Sequence, residues 1–420
     1  MPQSTSKLVD KLTRDARRAG RELNRVSPAK ITRALNEMAK LLRQEKTALQ
    51  TVNKRDLEAG RKRGLSPAML DRLTLADKTI AAMIDGICVV AALQSPVGKT
   101  FDRRTRPNGL NIYKVRAPIG VIGIIYESRP NVTVDAAAIC LKSHNAVILR
   151  GGSEAIHSNK ALAALFQKAL SKTGLPRAAV QLVPSTERQA INELLTRNSE
   201  VDLIIPRGGE GLINTVVHKS TIPVIKHYKG VCHVYISRKA DMSIAVPIAV
   251  NAKVQRPGVC NAMETLLIDS RLSKSKKRRI IQALLDNGAQ LCGNTAIRSL
   301  DKRIKAARRA DWEAEYLDLR LAVREVSGVD EAIEHINTYG SHHTESIVST
   351  SAREIQAFMS MTDSSSLIVN ASTRFSDGGE YGMGCEIGIS TDKLHARGPM
   401  GVEDLTTYKW IVEGAGQIRE

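Results

Sequence analysis

Aromatic residues make up only 3% of the 420-residue chain, and its six cysteines (88, 140, 232, 260, 292 and 385) form no Cys-x-x-Cys pair. Few aromatic rings leave few platforms on which nucleic-acid bases could stack. Isolated cysteines exclude a disulfide framework and offer no zinc-ligand spacing, so no metal is expected. No apolar run approaches the ~20 residues that a membrane span requires. The polar, basic start MPQSTSKLVDKLTRDARRAGREL lacks the apolar core of a signal peptide. A cytoplasmic protein with no membrane partner is therefore the expectation.

Positive charge is abundant instead. The formal net charge is +19, concentrated in residues 1–64, with 17 Lys/Arg against 7 Asp/Glu, and in residues 271–309, with 12 against 2. Apolar residues at helical spacing run through both blocks (Leu23, Ile31, Leu35, Met38, Leu41 and Leu42; Ile280, Leu284 and Leu285). That spacing predicts solvated faces of amphipathic helices rather than a nucleic-acid site, and no nucleic-acid partner is expected.

Residues 5–26 and 28–60 read as helices, the second with Ser27 as N-cap and Pro28 in its first turn, and helical pattern resumes from Ser66-Pro67 to about Leu93. Pro107-Asn108-Gly109 then marks a turn between extended segments. From Val121 strands and helices alternate, the pattern of a parallel α/β sheet: strands 121–128, 146–150, 180–184 and 201–206, with a capping box at Ser185 to Arg188. TIPVIKHYKGVCHVYI reads as a strand pair. A second α/β series runs from METLLID to SSLIVN (365–370), and the extended TTYKWIVEG closes the chain.

The architecture suits a nucleotide, yet no GxGxxG follows the first strand. Two other glycine-rich turns follow strands, Arg150-Gly151-Gly152-Ser153-Glu154 and Arg207-Gly208-Gly209-Glu210-Gly211. Main-chain amides at a helix N-terminus suit phosphate, and an arginine at a strand end suits an adenosine 2′-phosphate. Cys260, on the Pro/Gly turn of Gln255-Arg256-Pro257-Gly258-Val259 just before an apolar strand, has the setting of a nucleophile presented by a loop. The thiolate is the reactive form, and Arg256 and the turn's amides would favour it.

The segments APIGVIGIIYESRPNVTVDAAAICLKSHNAVILRGGSEA, VDLIIPRGGEGL, VNAKVQRPGVCNAMETLL, DWEAEYLDLRLAV, DEAIEHINTYGSHHTESIVST and STDKLHARGPMGVEDLTTYKW resemble the aldehyde dehydrogenase superfamily, and within it those members that reduce acyl phosphates. The resemblance implies an α/β fold of three parts. These are a Rossmann-type NADP(H)-binding domain (residues 1–100 and 117–252), an α/β catalytic domain (253–375) and a small β oligomerisation element (101–116 and 403–420). It also implies Cys260 as nucleophile, Arg150 in place of the family's adenosine-ribose lysine, and Glu315 on the nicotinamide ribose. Asn131 is the candidate oxyanion donor, with Ser128 competing. Arg256, Lys393, His395 and Arg397 are candidates for substrate phosphate or carboxylate.

The hydrolytic members carry a glutamate base where this chain has His227-Tyr228-Lys229-Gly230. Without that base, water is poorly activated to cleave a thioester, which suits a reductase of acyl phosphates. The implied reaction is NADPH-dependent reduction of L-glutamyl 5-phosphate to L-glutamate 5-semialdehyde in proline biosynthesis, by a homo-oligomer (dimer or tetramer) with glutamate 5-kinase as functional partner. A coenzyme A-acylating dehydrogenase and a basic nucleic-acid-binding protein on an inactive dehydrogenase fold are the competing readings.

Overall fold

The computed structural model describes residues 2–226 and 228–419, which divide into two units. The first comprises residues 1–226, 382–388 and 400–420, and the second 227–381 and 389–399.

The first unit opens with five helices: α1 (Pro2–Leu23), α2 (Pro28–Gln44), α3 (Lys46–Lys62), α4 (Pro67–Leu73) and α5 (Asp77–Ala92). The single helix expected over 28–60 is two, because Glu45 leaves the helical region at ψ 13°. Ile31, Leu35, Met38 and Leu42 form the buried stripe of α2, as their spacing predicts. Next come strands β1 (Thr100–Thr105) and β2 (Asn111–Pro118), joined by the expected turn, in which Gly109 takes φ 87°. The tail strand Thr406–Glu413 pairs antiparallel with β2 along the whole of β2, from Asn111 opposite Glu413 to Pro118 opposite Thr406.

The alternating segment forms β3 (Val121–Tyr126), α6 (Pro130–Lys142), β4 (Ala146–Arg150), α7 (Ile156–Lys172), β5 (Val180–Leu182), α8 (Arg188–Leu194), β6 (Leu203–Arg207) and α9 (Glu210–Lys219). The expected capping box is not formed: α8 begins at Arg188, and Ser185 Oγ accepts only the Glu187 amide. The strands are parallel in the order β5-β4-β3-β6, so the chain reverses direction across the sheet between β3 and β6. Every residue of β3 is buried, as a sheet covered on both faces requires. Val9 and Ala16 of α1 join Val121, Ile125, Ile148 and Ile204 in one core.

The second unit is built on a seven-stranded parallel sheet, β10-β9-β11-β8-β7-β12-β13. Its elements in chain order are β7 (Cys232–Ile236), α10 (Met242–Val254), β8 (Met263–Asp269), α11 (Lys274–Asp286), β9 (Gln290–Gly293), α12 (Thr295–Arg298), β10 (Lys305–Ala306) and α13 (Arg309–Trp312). They continue with β11 (Arg320–Val326), α14 (Val329–Tyr339), β12 (Thr344–Val348), α15 (Ala352–Met361) and β13 (Ser366–Val369). The boundary expected at residue 252 lies instead after Lys226, because β7 pairs with β8 and β12, which places 227–252 with the second sheet. Of the expected strand pair over 221–236 only β7 forms a strand, and Val224 makes an isolated bridge to Ile204.

Candidate functional site

In the first unit the expected cofactor residues collect at the carboxyl ends of β3, β4 and β6. Ligands of open parallel sheets lie where the strand order reverses, here between β3 and β6. Gly209 is the N-cap of α9, and a side chain placed at Gly211 would meet nothing within 4 Å, so the first turn of that helix opens onto free space. At Gly208 a side chain would run into Glu127, which stands at the end of β3. Arg207 lies beside this opening with its guanidinium against the main chain of Gly388. Open amides, an adjacent cation and a topological switch point are what a dinucleotide's phosphates require, and the residues present fit that group.

The turn after β4 is different in kind. A Cβ at Gly151 would lie 2.1 Å from Asn159 Nδ2 and one at Gly152 would lie 2.5 Å from Glu154 Oε2, so packing against neighbouring side chains explains both glycines. Arg150 is 8% exposed and donates to the carbonyls of Gly151 (3.0 Å) and Thr186 (3.1 Å), with Nε unpartnered. Burial holds its pKa below the usual arginine value, and Glu154 opposes that. Glu154 accepts from Ser128 Oγ (2.9 Å) and Ser153 Oγ (3.3 Å), tying the two loops together. Asn131, in the first turn of α6, donates to Asp135 (3.1 Å). Burial pushes the Asp135 carboxyl up to about 6, against the opposing effects of the Asn131 bond and the Arg207 charge.

In the second unit the candidate residues gather at the amino ends of the strands. Cys260 is partly buried in the loop between α10 and β8. Gly230, two residues before β7, packs directly on it: a Cβ there would sit 2.0 Å from the Cys260 carbonyl oxygen. That same oxygen accepts from Cys232 Sγ at 3.1 Å. Glu315, the carboxylate expected on the nicotinamide ribose, accepts the Gly230 amide at 2.8 Å and so holds the segment leading into β7 that packs on the cysteine. Beneath them Lys253 and Glu264 form a fully buried ion pair at 2.5 Å, and Glu264 also accepts the Leu317 amide at 3.1 Å. Burial pushes Glu264 up to about 7 despite Lys253. Leu317 has φ 53°, a left-handed conformation uncommon for leucine, and this turn carries Glu315. His227 lies outside the described residues.

Of the expected substrate contacts, Arg256 is exposed and lies four residues before Cys260.

 The helix itself ends at Val254, so Arg256 is the second residue of the loop that carries the cysteine, and it makes no hydrogen bond or ion pair among the described residues. Lys393 and Arg397 are both committed to Asp363, at 2.6 and 2.7 Å, and the two cations hold that carboxyl down at about 2. His395 sits in the same loop at φ 67°. The sequence reading missed Arg374. It lies in a short turn after β13, donates from Nε to Gln255 Oε1 at 3.0 Å, and has no spacing signal that would connect it to the cysteine.

The aldehyde dehydrogenase family model matches residues 1–291. A gamma-glutamyl phosphate reductase of Geotalea daltonii is 53% identical over 98% of this chain and 99% of its own length, and one of Desulfatibacillum aliphaticivorans is 51% identical over 99% and 100%. The crystal structure of a gamma-glutamyl phosphate reductase from Thermotoga maritima superposes with a TM-score of 0.96 at 41% identity, covering 98% of this chain and 100% of the other. Matched by the family model over more than half its length and by these relatives from end to end, the chain belongs to the aldehyde dehydrogenase family of oxidoreductases.

Proposed function

We propose that the protein reduces L-glutamyl 5-phosphate to L-glutamate 5-semialdehyde and phosphate with NADPH, through a thioester on Cys260, as the second step of proline biosynthesis from glutamate. The observation that carries this reading is the end-to-end identity, above one half, with gamma-glutamyl phosphate reductases.

The Cys260 thiolate attacks the acyl carbon, and phosphate, a far better leaving group than hydroxide, departs. Arg207, Gly208 and Gly209 at the open turn of α9, with Arg150, Gly151, Ser153 and Glu154, would hold NADPH, and the family resemblance assigns Glu315 to its nicotinamide ribose. The cofactor would supply the hydride that reduces the thioester carbon, with the C–S bond breaking to return the Cys260 thiolate. Negative charge develops on the carbonyl oxygen in both halves of the reaction. The Cys260 amide is the proposed main-chain donor to it, and Asn131 the side-chain donor that the family resemblance assigns. Arg256, Lys393, His395 and Arg397 are the proposed contacts for the substrate's phosphate or carboxylate. The three-stranded sheet of β1, β2 and 406–413 exposes Tyr408, Trp410 and Val412, and we assign the homo-oligomer contact to it. Glutamate 5-kinase, as the source of a labile acyl phosphate, is the proposed functional partner, and the cytoplasm the proposed location.

The test runs the reaction backwards. Wild-type protein should reduce NADP⁺ with glutamate 5-semialdehyde only when phosphate or arsenate is present, and Cys260→Ala should lose this activity while still binding NADPH. Coenzyme A replacing the oxyanion would instead indicate an acylating dehydrogenase, and turnover by Cys260→Ala would remove the cysteine from the mechanism.

A further inference from the structure

We propose that Arg374, together with Arg256, forms the site that receives the departing phosphate beside Cys260. The inference rests on the acyl phosphate reading above and names the groups that would make phosphate the leaving group of choice.

Two hydrogen bonds join the Arg374 turn to the cysteine loop. Asn261, the residue after Cys260, donates from Nδ2 to the Ser376 carbonyl at 2.9 Å, and Arg374 Nε donates to Gln255 Oε1 at 3.0 Å. Ser372 Oγ accepts the Arg374 amide at 3.3 Å and caps the turn. The guanidinium is thus anchored through Nε, and among the described residues its two Nη groups have no hydrogen bond or ion pair. Those two groups form the edge with which arginine grips a phosphate. Its surroundings carry an excess of positive charge. Burial and the neighbouring Arg256 lower the Arg374 pKa, whereas Asp377 and the Cys260 sulfur raise it. Two arginines face one nearby aspartate and the thiols of Cys260 and Cys232, an arrangement that an arriving dianion would balance.

The other cations expected on the substrate are placed differently. Asp363 already neutralises Lys393 and Arg397, so an anion would have to displace a carboxylate to engage them. In the chemical step the Cys260 sulfur bonds to the acyl carbon, the bond from that carbon to the bridging oxygen breaks, and its electron pair leaves with the phosphate. Charge therefore grows on the phosphate as the bond breaks, and a fixed guanidinium stabilises it most at that moment. Arg374 would touch the leaving group, whereas Gln255 acts only by positioning Arg374.

Two measurements on Arg374→Gln, Arg374→Lys and Gln255→Ala test this. The first is the KM for inorganic phosphate in semialdehyde oxidation. The second, which needs no cofactor, is the slowing by inorganic phosphate of Cys260 alkylation by iodoacetamide. Arg374→Gln should raise the phosphate KM ~10-fold or more, the usual effect of losing a hydrogen bond to a charged group. It should leave the semialdehyde KM unchanged and abolish the protection of Cys260. Arg374→Lys should restore part of both effects, and Gln255→Ala should reproduce both more weakly. If Arg374→Gln does not fold, the lysine and Gln255 variants carry the same test. Unchanged phosphate KM and protection in the folded variants would overturn the proposal, as would a rise confined to the semialdehyde KM, which would assign Arg374 to the substrate's carboxylate. Wild-type NADP⁺ reduction that needs no oxyanion would contradict the acyl phosphate reading itself, and the alkylation measurement would still decide whether Arg374 binds phosphate.

Discussion

Cys260 and Gly230 depend on each other at the level of single atoms. Any side chain at position 230 would occupy the space of the Cys260 main chain, so the glycine is fixed by close approach rather than by a turn. The sequence displays Cys260 plainly, since a Pro/Gly loop before an apolar strand is a local pattern. It does not display Gly230 or Arg374, whose roles arise only when β7 and the turn after β13 are brought to the cysteine loop by tertiary folding. Asp135 is another residue whose behaviour comes from burial. Its carboxyl, with a folded pKa of about 6, holds a proton that the unfolded chain releases near pH 4. The stability it contributes is present below about pH 4 and is lost as pH rises through about 6. Asp135→Asn should therefore remove a downward slope of stability between these values and leave the variant relatively more stable above pH 6. Urea denaturation of both proteins across pH 4–8 measures this, and parallel pH profiles would contradict it.

Between α10 and β8 the Lys253–Glu264 pair joins the helix before the nucleophile to the strand after it, and through the Leu317 amide to the segment bearing Glu315. Removing one partner of a fully buried pair leaves the other uncompensated, which typically costs ~3–5 kcal/mol. Glu264→Gln should be destabilised by about that amount, and the double change Lys253→Met with Glu264→Leu by less. Chemical denaturation compares them, and a double variant at least as unstable as the single one would contradict the account. At this scale the sequence was legible where elements are apolar and regular, as in β3, β4 and β8. It was not legible at β11, the strand between β9 and β8, because Arg320, Arg324 and Glu325 break its apolar run. The structure compensates two of those charges, pairing Glu325 with Lys277 at 2.5 Å and Arg324 with Glu331 at 2.9 Å. The break between α2 and α3 was hidden for the opposite reason, since the helical pattern runs on through Glu45.

For the whole molecule, the alternation of strands and helices predicted the α/β class, and the quoted motifs predicted the family. The unit boundary was misplaced because β7 follows the first sheet in sequence but pairs within the second. The two glycine turns looked alike in sequence, yet only the one after β6 opens onto free space. Wild-type protein incubated with glutamate 5-semialdehyde and NADP⁺, without phosphate, arsenate or coenzyme A, should accumulate a glutamyl thioester, because no glutamate base replaces the missing oxyanion. Peptide mass spectrometry should find that adduct on Cys260, and it should disappear when phosphate is added. An unmodified Cys260 in protein that nevertheless turns over with phosphate, or an adduct on another residue, would contradict the account.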